Sequence, residues 1–193
     1  MIPDALAHDT KIREIIDKHL NKWIERKLNT LPGKIEAEMA DPVQTKNDEW
    51  KTWHPVNSKV TDAEIEDHEQ YIRHKFPDDY KSFLKYKHFY ELHISEASFC
   101  EHPVNIWRAA QTDMIFDGYP AEFLIEKGFI PFADWSDWGL LCFDTNRNNG
   151  HNNYPIVLWD HEMANRTEDV YKDFYDMMIR LDEEEDKMNA TPG

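Results

Sequence analysis

Two cysteines and six glycines in 193 residues remove several kinds of chemistry at once. Cys100 and Cys142 show no Cys-x-x-Cys spacing, which argues against a disulfide scaffold, a thiolate zinc site or a redox dithiol. Each lies in an apolar run, Ser98-Phe99-Cys100 and Leu141-Cys142-Phe143, and reads as a small buried side chain rather than a nucleophile. The few glycines form no P-loop, no Gly-x-Gly-x-x-Gly and no Gly-x-Ser-x-Gly, so neither a phosphate cradle nor a serine-hydrolase elbow is expected. No apolar stretch is long enough to cross a bilayer, and the N-terminus lacks the apolar core of a signal peptide. A cytosolic, thiol-reduced protein follows as the expectation.

Positive charge is also scarce where it would matter. The net charge is -16, and it is unevenly placed. Residues 1 to 59 hold ten Lys/Arg against ten Asp/Glu, whereas residues 60 to 193 hold twelve against twenty-eight. Such a field repels phosphate backbones and anionic membranes, so neither is an expected partner, while a basic protein would be steered in. On charge alone, a body merely kept soluble by its acidity is the better reading.

What the chain does have is aromatic and apolar residues in patterns. Ile12, Ile15, Ile16, Leu20, Trp23, Ile24 and Leu28 recur on one helical face over residues 10 to 28, and the pattern stops at Leu31-Pro32-Gly33. Residues 34 to 59 lose that period and read as a connecting arm, with Trp50 and Trp53 as anchors onto a neighbouring surface. Thr61 and Glu64 form a capping box that opens a second helix, with Ile65, Tyr71 and Ile72 toward a core. Phe76-Pro77-Asp78-Asp79-Tyr80 starts a third, with proline and two carboxylates where a first turn favours them. A strand is expected over residues 88 to 99, a short helix over 120 to 127 ended by Gly128, and strands over 129 to 132, 140 to 143 and 156 to 159. Thr167 is read as the cap of a closing helix, and the charges from Asp182 to Asp186 as solvated. Helices first, strands in the middle and a closing helix indicate an α+β fold. Its central sheet is antiparallel, possibly mixed, and partly covered by helices; residues 1–59 are an N-terminal extension and 60–193 the domain.

The stretch from Ile130 to Asp144 leads through a Gly/Asn/Asp-rich connection into Tyr154-Pro155-Ile156-Val157-Leu158-Trp159-Asp160-His161-Glu162, the form of a β-hairpin. Its entrance interleaves Trp135 and Trp138 with Asp134 and Asp137, a mixture found where a surface meets a partner. Trp107 and Trp159 read as core. For Trp135 and Trp138, core and contact stay equally open. Asp134, Trp135, Asp137, Trp138, Asp144, Asp160 and Glu162 are therefore the candidate partner-binding residues, against the simpler reading in which the aspartates cap turns.

Ten histidines invite a metal, yet none stands in His-Glu-x-x-His, His-x-His or a cysteine–histidine spacing, and no EF-hand loop fits the aspartates. His161 is flanked by Asp160 and Glu162, but neighbours on a strand face opposite ways, so a strand-end histidine is the better reading. No metal, cofactor or catalytic residue is expected. A hydrolase using carboxylates and His161 is the contrasting class.

Taken together, Val60, Thr61, Glu64, Ile65 and Glu69 followed by Phe76-Pro77-Asp78-Asp79-Tyr80, then Phe129-Ile130-Pro131-Phe132-Ala133 running into Asp137-Trp138-Gly139 and Cys142-Phe143-Asp144, then Tyr154-Pro155-Ile156-Val157, resemble the SUKH superfamily, specifically the Smi/Knr type of bacterial immunity proteins. The resemblance covers about residues 60 to 182. Many of those proteins carry Asn-Gly-Gly after the Tyr-x-x-Phe-Leu helix, where this chain has Tyr86-Lys87-His88-Phe89-Tyr90. It implies an α+β fold and binding to a toxin domain, often a nuclease or deaminase, whose basic active-site face an acidic body would mask. A regulatory scaffold in cell-wall signalling is the other role the resemblance implies.

Overall fold

The recurrence of Ile12, Ile15, Ile16 and Leu20 gives residues Pro3–Glu25 one apolar stripe, and in the computed structural model they form a single helix, α1, with those four side chains buried. The structure describes residues 3–45, 49–136, 139–148, 153–163 and 166–190. The helix stops before Leu28 because the chain reverses at Lys27, a left-handed residue with φ 56°, and Leu28 is left exposed. The reversal lets β1 (Thr30–Pro32) pair antiparallel with β2 (Trp50–Thr52).

The stretch expected to be a connecting arm is thus partly strand. It buries Met39 and Trp53 completely while Trp50 stays exposed, and it places β3 (Val56–Asn57) against β4 (Lys87–His88). Strands of two or three residues are too short to show a period, which is why the sequence pattern hides them.

Local chemistry dictates the next two helices. In α2 (Asp62–Ile72) the Thr61 hydroxyl accepts from the Glu64 amide and the Glu64 carboxylate accepts from the Thr61 amide. Ile65 and Ile72 turn inward, but Tyr71, expected with them, is exposed. Pro77 then opens α3 (Asp78–Leu84). Between these helices Glu69 is a buried carboxylate held by the Lys75 and Lys81 ammonium groups at 2.6 and 2.9 Å and by the Phe76 amide at 2.8 Å. Those donors outweigh its burial and hold its pKa below the usual carboxylate range.

The single strand expected over 88 to 99 is three pieces: β4, then the hairpin β5 (His93–Ile94) and β6 (Ala97–Phe99), turned at Ser95 with φ 54°. After it come α4 (Trp107–Thr112) and a π-helical turn, Asp113–Asp117. Residues 120 to 127 supply only a 3-10 turn, Ile125–Lys127, ended by Gly128 with φ 85°. Then follow β7 (Phe129–Trp135), β8 (Gly139–Asp144), β9 (Ile156–Asp160), β10 (Thr167–Tyr171) and α5 (Phe174–Ala190).

The principal sheet is antiparallel throughout, in the order β10-β9-β8-β7-β6-β5. The fold is α+β with an N-terminal helix, as the order of sequence elements indicates. One correction concerns the closing helix. Thr167 is not its cap, because residues 167 to 171 pair with β9; the cap is Asp173, whose carboxylate accepts from the Asp176 amide at 2.8 Å. A second concerns the charges from Asp182 to Asp186. They are not merely solvated, because Lys18 reaches Asp182 and Asp186 at 2.7 Å, His19 meets Asp182 at 2.9 Å, and Lys22 pairs with Glu185.

Both faces of the sheet are covered. Phe132, Leu141, Phe143 and Ile156 join the main core with α1, α3 and α5 residues such as Ile16, Tyr80, Phe83 and Phe174. Leu140, Cys142, Val157 and Trp159 join a smaller core closed by Leu124, with Tyr119, Phe123 and Phe129 packed on it. Trp107 and Trp159 are buried, as expected of core tryptophans.

Candidate contact surface

Period-two alternation decides where the hairpin residues point. Asp134 and Trp135 are neighbours on β7, so they face opposite sides of the sheet. Trp135 packs on the main core, its ring edge-on to Tyr171 at 6.4 Å. Asp134 pairs in register with Leu140, which pairs with Trp159, so it shares the face of the smaller core.

The register also sorts the other candidates by position. Trp135, Gly139 and Asp160 form one cross-strand row, which brings Trp135 and Asp160 to the same end of the sheet, with Glu162 in the 3-10 turn just beyond. Gly139 lies between them because an added Cβ would come within 2.8 Å of the Trp159 carbonyl oxygen. Asp144 is at the other end of β8, five residues from Gly139, or about 16 Å at the usual strand rise. Asp137 and Trp138 lie outside the described residues.

The carboxylates have different duties. Asp144 is buried, takes Arg147 Nε at 2.6 Å and the Asn146 amide at 3.1 Å, and the same guanidinium holds both oxygens of Asp169. It locks the start of the β8–β9 connection to β10. Asp160 accepts from the Glu162 amide at 2.8 Å, a local turn cap. Asp134 has no hydrogen-bond or ion-pair partner among the described residues, and half-burial pushes its carboxyl above the usual range.

Asp134 opens into a cleft that sequence reasoning did not assemble. Its other walls are Asp113, Met114, Asp117, Gly118 and Tyr119, all from the π-helical turn and the residues after it. The available sequence signal is compositional: residues 95 to 140 carry eight Asp/Glu against Arg108 and Lys127. None of the seven that are described, Glu96, Glu101, Asp113, Asp117, Glu122, Glu126 and Asp134, takes part in an ion pair. Lys127 instead lies over the Phe123 ring at 5.1 Å. Among the described residues this is negative charge outside any ion pair, beside the Tyr119 ring.

Other modes of recognition and chemistry are less well provided. The outer strand β10 carries a bulge between Asp169 and Tyr171, and Arg180 from α5 bonds the Val170 carbonyl at 2.9 Å, both of which discourage strand addition. At the opposite edge β5 is two residues long, and Trp23 stacks on His93 at 4.9 Å. Burial pushes the Cys100 thiol up to about 12 and the Cys142 thiol further, so neither is a thiolate near neutrality. His161 is exposed in the 3-10 turn, and among the described residues no group of three or more His, Cys, Asp and Glu is placed to hold a metal ion. No described helix is long and apolar enough to cross a membrane.

The family profile described as SMI1-KNR4 cell-wall (SUKH_6) matches residues 62–178, more than half of the chain and all of the sheet from β5 to β10. No curated protein matches the chain in a sequence search.

Proposed function

The chain belongs to the SMI1-KNR4 cell-wall family of the SUKH superfamily, and from that membership we propose that it is a non-catalytic protein-binding module, an immunity protein that neutralises a toxin domain in the cytosol. The observation that carries this reading is the cleft of Asp113, Asp117 and Asp134, which lies inside the matched residues and holds carboxylates that form no ion pair among the described residues. A nuclease or deaminase needs a basic face to hold nucleic acid, and a fixed set of unpaired carboxylates is its electrostatic complement. Tyr119 at the cleft wall adds a ring on which an arginine or lysine of the partner can rest. Trp135, Asp160 and Glu162, at the same end of the sheet as Asp134, extend the proposed surface around the sheet end.

The test uses the toxin domain captured with this chain by pull-down from the native host, purified and mixed in stopped flow. Association should slow steeply as salt rises, because steering is screened beyond about 8 Å at physiological ionic strength. The variant Asp113→Asn/Asp117→Asn/Asp134→Asn keeps the shape and should associate roughly tenfold more slowly or worse at low salt. A salt-independent rate, or an unaltered rate in the variant, refutes the assignment of the cleft. The family description itself favours a second reading, a regulatory scaffold acting in relation to the cell wall. Pull-down from the native host with mass spectrometry separates the two: a toxin domain supports the first, a set of wall-associated proteins the second.

A further inference from the structure

We propose that the stacked imidazoles of His88 and His102 form an acid-sensitive latch, which holds the strap of residues 55–59 on the body while both are neutral and lets it go when one is protonated. The inference does not depend on which partner the protein binds. Its basis is the fixed hydrogen-bonding role of each ring nitrogen. His88 Nε2 accepts from the Lys59 backbone amide at 2.9 Å, and its Nδ1 lies 3.0 Å from the His102 carbonyl oxygen, which can only accept. His88 is therefore the neutral tautomer with its proton on Nδ1. His102 Nε2 lies 2.8 Å from the Leu84 carbonyl and must donate, and its buried Nδ1 has no partner among the described residues. The two rings stack with centroids 4.8 Å apart, and both residues are buried.

A second proton on His88 would turn Nε2 into a donor facing the Lys59 N–H, so that bond would become a repulsion between two donors. A second proton on His102 would place a full charge beside His88 with nothing to accept it. Between the anchors of Trp53 and Val60, both buried, the remaining contacts of residues 55–59 are the Ser58 amide to the Tyr86 carbonyl at 3.0 Å, the Ser58 hydroxyl to the Leu84 carbonyl at 2.7 Å, the Lys87 ammonium to the Asn57 side-chain oxygen at 2.9 Å, the Lys59–Glu38 ion pair, the packing of Val56 on the core and the short pair of β3 with β4. Leu84 O thus serves both the strap and His102, which couples the two.

The charged groups around the pair do not rescue a protonated state. Lys59, from the strap, opposes it at His88; Glu36 and Glu38, from the loop before β2, and Glu64, from α2, favour it, but Glu36 is engaged with the Asn105 amide, Glu38 with the Lys59 ammonium and Glu64 with the Thr61 amide and hydroxyl. Around His102 the other walls are Phe89 and Trp107, which supply no charge. Burial holds both histidines below their ordinary pKa, His102 at about 3, so the latch is closed near neutrality and opens on acidification.

Hydrogen–deuterium exchange on the full chain, from about pH 7.5 to about pH 5 and corrected for intrinsic rates, tests this. In the wild type, protection over residues 55–59 should fall on the order of tenfold while β7 and β8 stay protected. His88→Gln can still accept from Lys59 and donate to the His102 carbonyl but does not titrate, so its strap should stay closed across the range. Flat protection in the wild type, loss in step with β7 and β8, or an unaltered acid response in His88→Gln overturns the proposal. Should His88→Gln be open already at neutral pH, the wild-type imidazole nitrogen shifts decide. Protonation of His88 or His102 must then coincide with strap opening, and opening without it refutes the latch.

Discussion

Acid should destabilise this protein well above the carboxylate range, and His68 allows the size of the effect to be worked out. The ring is on the inner face of α2, stacked on Phe76 at 5.8 Å and edge-on to Trp107 at 5.8 Å, and its buried Nε2 has no hydrogen-bond partner among the described residues. Burial first, and the charge of Arg108 second, lower its pKa from 6.5 to about 4; Glu69 acts the other way but less. Below about pH 6.5 the unfolded chain takes up a proton at this site that the folded chain does not, so stability falls as pH drops and is fully present only above that value. The difference of roughly 2.5 units at about 1.4 kcal/mol each amounts to about 3 kcal/mol lost by pH 4, a large share of the 5–15 kcal/mol typical of a domain. His68→Phe keeps an aromatic ring among aromatic neighbours and removes both the proton site and the orphan nitrogen. Urea unfolding of the wild type and the variant at several pH values between about 7.5 and 4.5 should give curves that diverge below pH 6.5 by about 1.4 kcal/mol per unit. The offset at neutral pH is not the test, since the larger ring can strain its site; the slope is. Parallel curves would mean that His68 is charged in the folded protein, and the reasoning from burial fails.

Deleting residues 1–33 should do more than lower the melting temperature by a few degrees. Ile12, Ile15, Ile16 and Leu20 are buried against the rest of the chain, and at about 1.5–3 kcal/mol per side chain their loss approaches the whole stability of a domain. Circular dichroism should show no cooperative melt for the truncated chain, and a melt like the full chain's would place the helix outside the fold's stability. Gly139→Ala should lower the melting temperature at about 2–4 °C for each kcal/mol, with about 1–3 kcal/mol expected, because its Cβ would meet a backbone carbonyl that cannot step aside. An unchanged melting temperature would show that β8 and β9 can separate freely there.

Legibility in the sequence follows how local the controlling chemistry is. Thr61 with Glu64 and Pro77 mark their helix starts by contacts within a few residues, and α2 and α3 begin where those residues say. Thr167-Glu168-Asp169 imitates the same signal, but pairing with β9, eight or more residues earlier in the chain, overrides it, and only Asp173 receives the amide that a cap should. The turn at Asp113–Asp117 had no signal to read, since Ile106 before α4 makes no side-chain cap and the helix runs on without a break.

The candidate surface was half legible for a related reason. Asp134 is visible as a charge in a hydrophobic hairpin, and alternation along β7 already separates it from Trp135. Its neighbours Asp113 and Asp117 reach it only because the chain after α4 folds back over the sheet. Net charge misleads in the same way. Summed by sequence, residues 60 to 193 carry the whole excess of -16 and residues 1 to 59 carry none. In the fold, Lys18 and Lys22 of the neutral part neutralise Asp182, Glu185 and Asp186 of the acidic part. The carboxylates that remain outside ion pairs among the described residues include all seven from Glu96 to Asp134, although Arg108 and Lys127 lie in the same stretch, so a basic partner of the proposed kind would meet its charge there and not only at the acidic end of the chain.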